Sequence, residues 1–447
     1  MAESPFKAYD LRGKVPEQLD EELAYKIGQA YADFVRPERV AIGRDIRLSG
    51  PSLSVALQDG LTSVGVDVQD IGVCGTEELY FATFHNKLDG GIMVTASHNP
   101  KDYNGMKFVR EKGIPISADT GLKEIERLAR GEDPTECAGK GKIESVEVRR
   151  EYVNHLLESV DLNVLQSYRI VVNPGNGCAG LVLDLLEQRL PFDFVKVNYE
   201  PDGTFPNGVP NPLLIENRSS TAEAVVKAGA DLGIAWDGDF DRCFFFDENG
   251  RFIESYYVVG FLAAQILDGQ PGEKIVHDPR LRWNTIEMVL ERGGTPVESK
   301  SGHAFIKEKM RQVDAVYGGE MSAHHYFRSF SYCDSGMMPW LMMVEIMSRT
   351  GKNLSELVEE RLALYPISGE INLKIDDPSG AIEKLRSLYA ASAQAADETD
   401  GLSLEFEEWR FNVRMSNTEP VLRLNVEVKR DKVLLEKKTQ ELMDHLS

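Results

Sequence analysis

One pattern recurs three times along the 447 residues and restricts the fold more than any single motif. A short apolar strand runs into a polar loop at Val40-Ala41-Ile42-Gly43-Arg44-Asp45, at Ile170-Val171-Val172-Asn173-Pro174 and at Lys274-Ile275-Val276-His277-Asp278-Pro279. A helical stretch follows each, and then a second strand: Val66-Asp67-Val68 to Ile71, Phe194-Val195-Lys196-Val197, and Thr295-Pro296-Val297-Glu298. A third strand ends in a loop dense with reactive groups. These are Gly91-Ile92-Met93-Val94 before Thr95-Ala96-Ser97-His98-Asn99-Pro100, Leu232-Gly233-Ile234-Ala235 before Asp237-Gly238-Asp239-Phe240-Asp241-Arg242, and Ala315-Val316-Tyr317-Gly318 before Gly319-Glu320-Met321-Ser322. Helical segments alternating with short apolar strands indicate α/β layers. A repeated unit puts these loops at matching positions of three related domains.

The repeat accounts for most of the chain, and the length leaves room for about two to four domains. Ahead of the first copy, apolar residues at helical spacing predict a helix over Glu17 to Phe34. Gly139-Lys140-Gly141-Lys142 reads as a linker, and a second break is placed near Asn249-Gly250. From Tyr365-Pro366 the character changes. Strands over Glu370 to Ile375, Leu404 to Arg414 and Val421 to Val428 mix with helices near Ala381 to Ala396 and Lys432 to Leu446. The expectation is therefore an α/β protein of three related mixed α/β domains, residues 1–142, 143–249 and 250–365, followed by a smaller α+β domain over 366–447.

Composition narrows the function classes. A net charge of −22 argues against nucleic acid and acidic membranes, since both require a basic footprint. No apolar run is long enough to span a bilayer. The opening Met1-Ala2-Glu3-Ser4-Pro5 lacks the basic stretch and apolar core of a signal peptide. The five cysteines, Cys74, Cys137, Cys178, Cys243 and Cys333, are scattered without a CxxC pair and read as reduced structural thiols. A cytoplasmic protein is expected.

Four motifs carry chemistry. In Thr95-Ala96-Ser97-His98-Asn99-Pro100 a hydroxyl stands beside an imidazole. Such residues favour plain turns, but a serine nucleophile needs a neighbouring base or acceptor, and His98 is adjacent. No GxSxG elbow surrounds Ser97, which disfavours a Ser-His-Asp hydrolase. Asp237, Asp239 and Asp241 alternate, and alternate side chains of an extended chain share a face. Three close carboxylates repel unless a cation joins them, and an all-oxygen set favours Mg²⁺ over zinc. An EF-hand is disfavoured because Arg242 stands where such a loop needs glycine. Glu320 and Ser322 offer a carboxylate and a small hydroxyl suited to paired sugar hydroxyls. The adjacent His324 and His325 point apart and make a poor zinc site. Arg414-Met415-Ser416-Asn417-Thr418-Glu419-Pro420 has the composition of a phosphate cradle. Arg12, Lys107, Lys300 and His303 lie near these motifs in sequence and could gather positive charge against the acidic background.

Together, and in this order, the four motifs resemble the α-D-phosphohexomutase superfamily, in its bacterial phosphomannomutase and phosphomannomutase/phosphoglucomutase branch. The resemblance spans nearly the whole chain and implies four domains around a central active-site cleft. It implies that Ser97 is the phosphoserine. Asp237, Asp239 and Asp241 would bind Mg²⁺ together with a phosphoserine oxygen. Arg242 would contact the phosphate or the substrate, and Glu320 with Ser322 would read sugar hydroxyls O3 and O4. Arg414, Ser416, Asn417 and Thr418 would clamp the non-reacting phosphate. Tyr9, Arg12, His98, Lys107, Lys300, His303 and His324 match positions that line the site, with Lys107 and His324 as acid/base candidates. Ala323 stands where the family usually has glycine.

The activity so implied interconverts mannose 1-phosphate and mannose 6-phosphate through a hexose 1,6-bisphosphate, which also serves as activator. Mannose and glucose differ only at C2, which a loop reading O3 and O4 does not inspect, so glucose phosphates are expected as further substrates. A phosphoglucosamine mutase, a dedicated phosphoglucomutase, a metal phosphatase and a non-catalytic sugar-bisphosphate binding protein stand as alternatives. A monomer or weak homodimer is expected. The family's usual downstream destination is GDP-mannose.

Overall fold

The computed structural model describes residues 4–131, 139–415 and 421–446. Two compact units emerge, Met1–Phe252 with Tyr326–Arg349, and Ile253–His325 with Thr350–Ser447.

The first unit contains two sheets. Strands β1 (Leu11–Lys14), β2 (Arg39–Arg44), β3 (Asp67–Val73), β4 (Gly90–Val94), β5 (Tyr103–Arg110) and β6 (Ile143–Ser145) form one, in the order β1-β5-β4-β2-β3-β6. β2 runs parallel to both β3 and β4. Helices α1 (Glu21–Val35), α2 (Gly50–Ser63), α3 (Thr76–His85) and α4 (Lys123–Ala129) accompany it. The central strands are apolar throughout because both faces are covered: Val40, Ala41, Ile42, Ile92, Met93 and Val94 are fully buried. After α5 (Arg149–Leu157), strands β7 (Arg169–Asn173), β8 (Asp193–Lys196), β9 (Leu232–Trp236), β10 (Cys243–Asp247) and β11 (Phe252–Ile253) build the second sheet, ordered β11-β10-β9-β7-β8. Here β7 is parallel to β8 and β9. Helices α6 (Ala179–Glu187) and α7 (Ser219–Ala228) link these three strands.

In the second unit, β12 (Lys274–His277) is parallel to β13 (Thr295–Glu298) and β14 (Tyr317–Gly319), with helices α8 (Ser255–Gly269), α9 (Trp283–Glu291) and α10 (His303–Val313). The stretch Tyr326–Arg349 of the first unit holds most of β15 (His325–Phe327), which pairs antiparallel with β16 (Cys333–Asp334), and nearly all of α11 (Met338–Thr350), while α12 (Leu354–Leu364) belongs to the second. The threefold repeat is therefore real, since in each copy the first strand lies between the second and the third. The last sheet is different. Strands β17 (Ile371–Leu373), β18 (Ala395–Asp397), β19 (Leu402–Glu405), β20 (Trp409–Met415) and β21 (Leu422–Val428) are ordered β17-β21-β20-β19-β18 and paired antiparallel. Helices α13 (Pro378–Tyr389) and α14 (Lys432–Leu446) complete this α+β layer, whose core includes Leu385, Phe411, Val413, Leu424 and Leu442.

Local expectations change in four places. α1 begins at Glu21 rather than Glu17, because the Asp20 side chain accepts from Leu23 N at 2.8 Å and caps the helix. The buried Leu19 belongs to the preceding turn and had extended the apolar pattern. The strand expected over Leu404 to Arg414 is a hairpin, closed by Phe406 N donating to Trp409 O at 2.8 Å. The helix expected over Ala381 to Ala396 stops at Tyr389, since Ala395–Asp397 pairs with β19 and tertiary pairing outweighs alanine's helix propensity. Finally, Asp237, Asp239 and Asp241 do not share the face of an extended strand. They lie in the turn between the antiparallel β9 and β10, where Phe240 N donates to Asp237 O at 3.1 Å.

Candidate active site

In the first unit, two loops meet at backbone contact. A Cβ on Gly238 would stand 2.5 Å from Ser97 O, so only glycine lets the β9–β10 turn reach the loop after β4. Ser97 is buried and holds a left-handed backbone, φ 47°. A network of hydrogen bonds fixes it there. Ser97 N donates to Thr95 Oγ1 at 2.9 Å, and Thr95 Oγ1 donates to Asp45 Oδ2 at 2.6 Å. Arg47, also buried, donates to the carbonyls of Ser97, Asn99, Pro100 and Tyr103 at 2.6 to 2.9 Å. Arg12 adds a bond to Ala96 O at 3.2 Å and another to Asn99 Oδ1, with Asp10 at 2.8 Å as its carboxylate partner.

Ser97 Oγ donates to Asp237 Oδ2 at 2.7 Å. His98 Nδ1 is 3.0 Å from Ser97 Oγ, but Arg242 Nη2 lies 2.6 Å from that nitrogen. Guanidinium can only donate, so His98 Nδ1 accepts from Arg242 and is no base for the serine. Burial, then the charges of Arg242 and Arg12, push the His98 pKa well below its ordinary value. The expected base is thus replaced by a carboxylate. Burial, only partly offset by Arg242, brings the Asp237 pKa up to about 6, with Asp241 and Asp239 adding repulsion.

The Asp237, Asp239 and Asp241 carboxylates each offer an oxygen within 4.8 Å of the others. Asp239 Oδ1 is buried without a hydrogen-bond partner, as an oxygen awaiting a cation would be. A hard divalent ion fits this donor set. On the far side, Lys107 Nζ bridges Asp239 Oδ2 at 2.7 Å and Asp241 Oδ2 at 2.6 Å. Burial alone would lower the lysine pKa, but the two carboxylates reverse that and raise it, so Lys107 keeps its proton. Asp239 lies below the ordinary range despite burial and Asp241, because Lys107 and Thr76 donate to it. Thr76 Oγ1 does so at 2.6 Å from the start of α3. Glu77, next to it, accepts from the backbone of Gly336 at 3.1 Å and Met337 at 3.2 Å, while Trp236 Nε1 donates to Gly336 O at 2.9 Å, bracing the turn from behind. Tyr9 is half-buried in the segment leading into β1.

The second unit gathers a different set. Glu320 is buried, its Oε1 accepting from Gly302 N at 2.7 Å, and Glu320 N donates to His324 O at 3.0 Å. Ser322 Oγ lies 3.1 Å from His324 Nδ1, and the His303 and His324 rings are 6.4 Å apart. Ala323 sits at φ 70°, which explains why glycine suits this position. Lys300 is exposed, its ammonium 5.1 Å over the Phe305 ring. Arg414, at the end of β20, is buried with its Nε lacking a partner. Burial, together with Arg280, pushes its pKa down. Ser416, Asn417 and Thr418 lie outside the described residues.

Two arginines central to this geometry were not singled out from sequence. Arg47 clamps the Ser97 loop. Arg280 binds Asp278 Oδ2 at 2.7 Å and approaches Glu320 Oε1 at 3.8 Å. A signal was present: both complete an Asp-x-Arg triplet, Asp45-Ile46-Arg47 and Asp278-Pro279-Arg280, just past the first strand of their repeat.

Comparisons with known proteins agree with this arrangement. Residues 3–136, 150–250 and 254–365 match phosphoglucomutase/phosphomannomutase alpha/beta/alpha domains I, II and III, and residues 370–445 match the C-terminal domain of that family. The phosphomannomutase of Salmonella montevideo is 55% identical over 449 residues, covering 99% of this chain and 98% of its own length. A Xanthomonas campestris protein described as phosphohexose mutases is 57% identical over 445 residues, covering 99% and 98%. Among solved structures, a phosphoglucomutase/phosphomannomutase family protein from Burkholderia thailandensis superposes with a TM-score of 0.88 at 32% identity, covering 100% of this chain and 97% of that one.

Proposed function

The chain belongs to the phosphoglucomutase/phosphomannomutase family, and from that premise we propose that Ser97 carries a phosphate which it exchanges with the two ends of a mannose phosphate. The protein is an isomerase that transfers phosphate within one sugar, a phosphomannomutase. The observation that supports the serine's role is its position: Ser97 Oγ bonds to one of three clustered carboxylates, inside a loop held by Arg47.

Asp237, Asp239 and Asp241 would hold Mg²⁺, which when bound offsets charge on the transferring phosphoryl group. Phospho-Ser97 loses its phosphoryl group to the free hydroxyl of a bound hexose monophosphate. The P–O bond to serine breaks as the new ester forms, and the sugar hydroxyl gives up its proton. The resulting 1,6-bisphosphate turns over, and Ser97 takes back the other phosphate. In phosphoryl transfer the catalytic demand is mainly positioning and charge stabilisation. Arg242 and Arg12 supply positive charge beside the serine. Lys107 is committed to two carboxylates and can act only as an acid in this arrangement. Of the two groups put forward for proton transfer, His324 remains for the role of base. Glu320 with Ser322 reads hydroxyls common to mannose and glucose, so both sugars serve. Arg414, with Ser416, Asn417 and Thr418, binds the phosphate that does not react, with Lys300 and His303 alongside. Hexose 1,6-bisphosphate primes the serine. The protein acts in the cytoplasm as a monomer or weak homodimer. That location agrees with the four described cysteines, which are buried and not joined in disulfides. It also agrees with the lack, among the described residues, of any helix long and apolar enough to cross a membrane.

The test compares turnover of mannose 1-phosphate, glucose 1-phosphate and glucosamine 6-phosphate, with native mass spectrometry of the protein. Expected are turnover of the first two and a phosphoryl increment on Ser97 that substrate removes. The Ser97→Ala variant is expected to lose at least ~10³-fold in turnover. Near-wild-type turnover by that variant, with bisphosphate supplied, would overturn the assignment. Release of inorganic phosphate in place of isomerised sugar would point to a phosphatase instead.

A further inference from the structure

At the carboxyl ends of β7 and β9 the second sheet opens into a cavity of about 220 Å³. The chain leaves β7 towards α6 on one side and enters β9 from α7 on the other. In α/β sheets such a switch point is where ligands bind. The three repeats can be compared at this one position. In the first, Asp45 accepts from Arg47 N at 2.9 Å, and the Arg47 side chain fills the space with four bonds to carbonyls. In the third, Asp278 accepts from Arg280 N at 3.0 Å, and only about 10 Å³ remains beside it. In the second, Asn173 accepts from Gly175 N at 3.0 Å in the same turn, but the arginine of the other two copies is replaced by glycine, against which Pro210 packs closely, and both Gly175 and Pro210 line the cavity.

The lining is polar and nearly uncharged. Glu216 is its one charged group among the described residues, and no lysine or arginine lines it. The neighbouring Arg218 is turned elsewhere, donating to Pro212 O and Leu213 O at 2.9 Å each and standing 3.5 Å over the Phe252 ring. An anion therefore finds no counter-charge. Hydrogen-bonding capacity is plentiful. Asn211 Oδ1 is buried without a partner, an acceptor that lacks a donor. Ser220 Oγ accepts from Asn173 Nδ2 at 3.2 Å, which leaves its proton to give. α7 starts at Ser219 without a side-chain cap, so its first N–H groups have no partner within the helix. Val209 adds an apolar side chain to the lining. The volume equals roughly seven waters at ~30 Å³ each, enough for one monosaccharide ring and too little for a nucleotide.

We propose that this crevice is a second small-molecule site, separate from the phosphate chemistry, which takes an uncharged polyhydroxylated compound of monosaccharide size. Hydroxyl groups satisfy both the waiting acceptor and the waiting donors, and the apolar body of a sugar ring suits Val209.

The probe is methyl α-D-mannopyranoside, which has no phosphate. It is titrated onto the full-length protein and followed by saturation-transfer NMR in the presence of excess mannose 1-phosphate. The expected result is a saturable signal that the sugar phosphate leaves in place. Asn211→Leu and Ser220→Val should each abolish it while leaving mutase turnover within about twofold of wild type. Should Asn211→Leu misfold, Ser220→Val, at an exposed position, carries the test alone. No saturable signal, a signal removed by mannose 1-phosphate, or one that survives in every folded variant would overturn the proposal. A parallel titration with sodium sulfate that saturates and is lost in the same variants would also overturn it, since the site would then be an anion site.

Discussion

Ser97 Oγ gives its proton to Asp237 Oδ2 across 2.7 Å, and Arg242 holds the same oxygen at 2.6 Å. The nucleophile is therefore oriented by a carboxylate that belongs to the cation-binding set, and His98, its neighbour in sequence, takes a hydrogen bond from Arg242 instead.

This sharing makes metal binding sensitive to protons. With the Asp237 pKa up at about 6, a proton competes with the cation below that pH and not above it. The Mg²⁺ concentration for half-maximal activity should be flat from pH 7 to 8 and rise by up to ~10-fold per unit below about 6. Titrations of activity against Mg²⁺ from pH 5 to 8 check this, and a flat profile across the range would contradict it.

Lys107 neutralises two buried carboxylates without any metal. Replacing it with alanine removes the cation that Asp239 and Asp241 share, at a cost of about 3 kcal/mol to the metal-free fold. In chelator the Lys107→Ala protein should melt well below the wild type, and added Mg²⁺ should raise its Tm by more than it raises that of the wild type. Equal responses to Mg²⁺ would show that the lysine does not balance the cluster.

Arg47 touches no substrate in the proposed reaction, yet it positions Ser97. Lysine keeps the charge but cannot present a fork to four carbonyls. Arg47→Lys should lower kcat by ~10²-fold with KM nearly unchanged, the signature of a misplaced nucleophile. A change confined to KM would place its role elsewhere.

Ala323 pays for its left-handed backbone with steric strain that glycine lacks. Ala323→Gly should stabilise the protein by up to about 1 kcal/mol, the gain reduced by the greater entropy of glycine when unfolded. Denaturant midpoints measured side by side settle the sign, and a lower midpoint for the variant would mean that the alanine methyl group contributes packing.

Much of this was legible in the sequence, because the repeat is written in strand composition. Buried parallel strands need unbroken apolar runs, and Val40 to Ile42, Ile170 to Val172 and Ile275 to Val276 announce themselves. The reactive loops were legible for a related reason: each follows such a run. Roles that depend on three-dimensional partners were not. Nothing in Ser97-His98 tells that Arg242 claims the imidazole, and nothing in Lys107 tells that it lies between two aspartates 132 and 134 residues away. The turn that gathers Asp237, Asp239 and Asp241 was mistaken for extended chain, because the alternation of side chains looks the same in both. Arg47 and Arg280 were passed over since a lone arginine after a strand usually faces solvent, and only their common Asp-x-Arg setting distinguishes them.

The first sheet does not end where its last helix does. Beyond residues 132–138 the chain returns, Val68 N donates to Lys142 O at 2.7 Å, and Ile143–Ser145 pairs with β3. This strand is short and exposed along its length and carries Glu144 at its centre, features by which proteins blunt a sheet margin against pairing with other chains. A truncated fragment ending at residue 142 would bare the row of N–H and C=O groups along β3 and invite intermolecular strand addition. One carried through Val146, whose N–H donates to Asp70 O at 2.9 Å, would keep that margin covered.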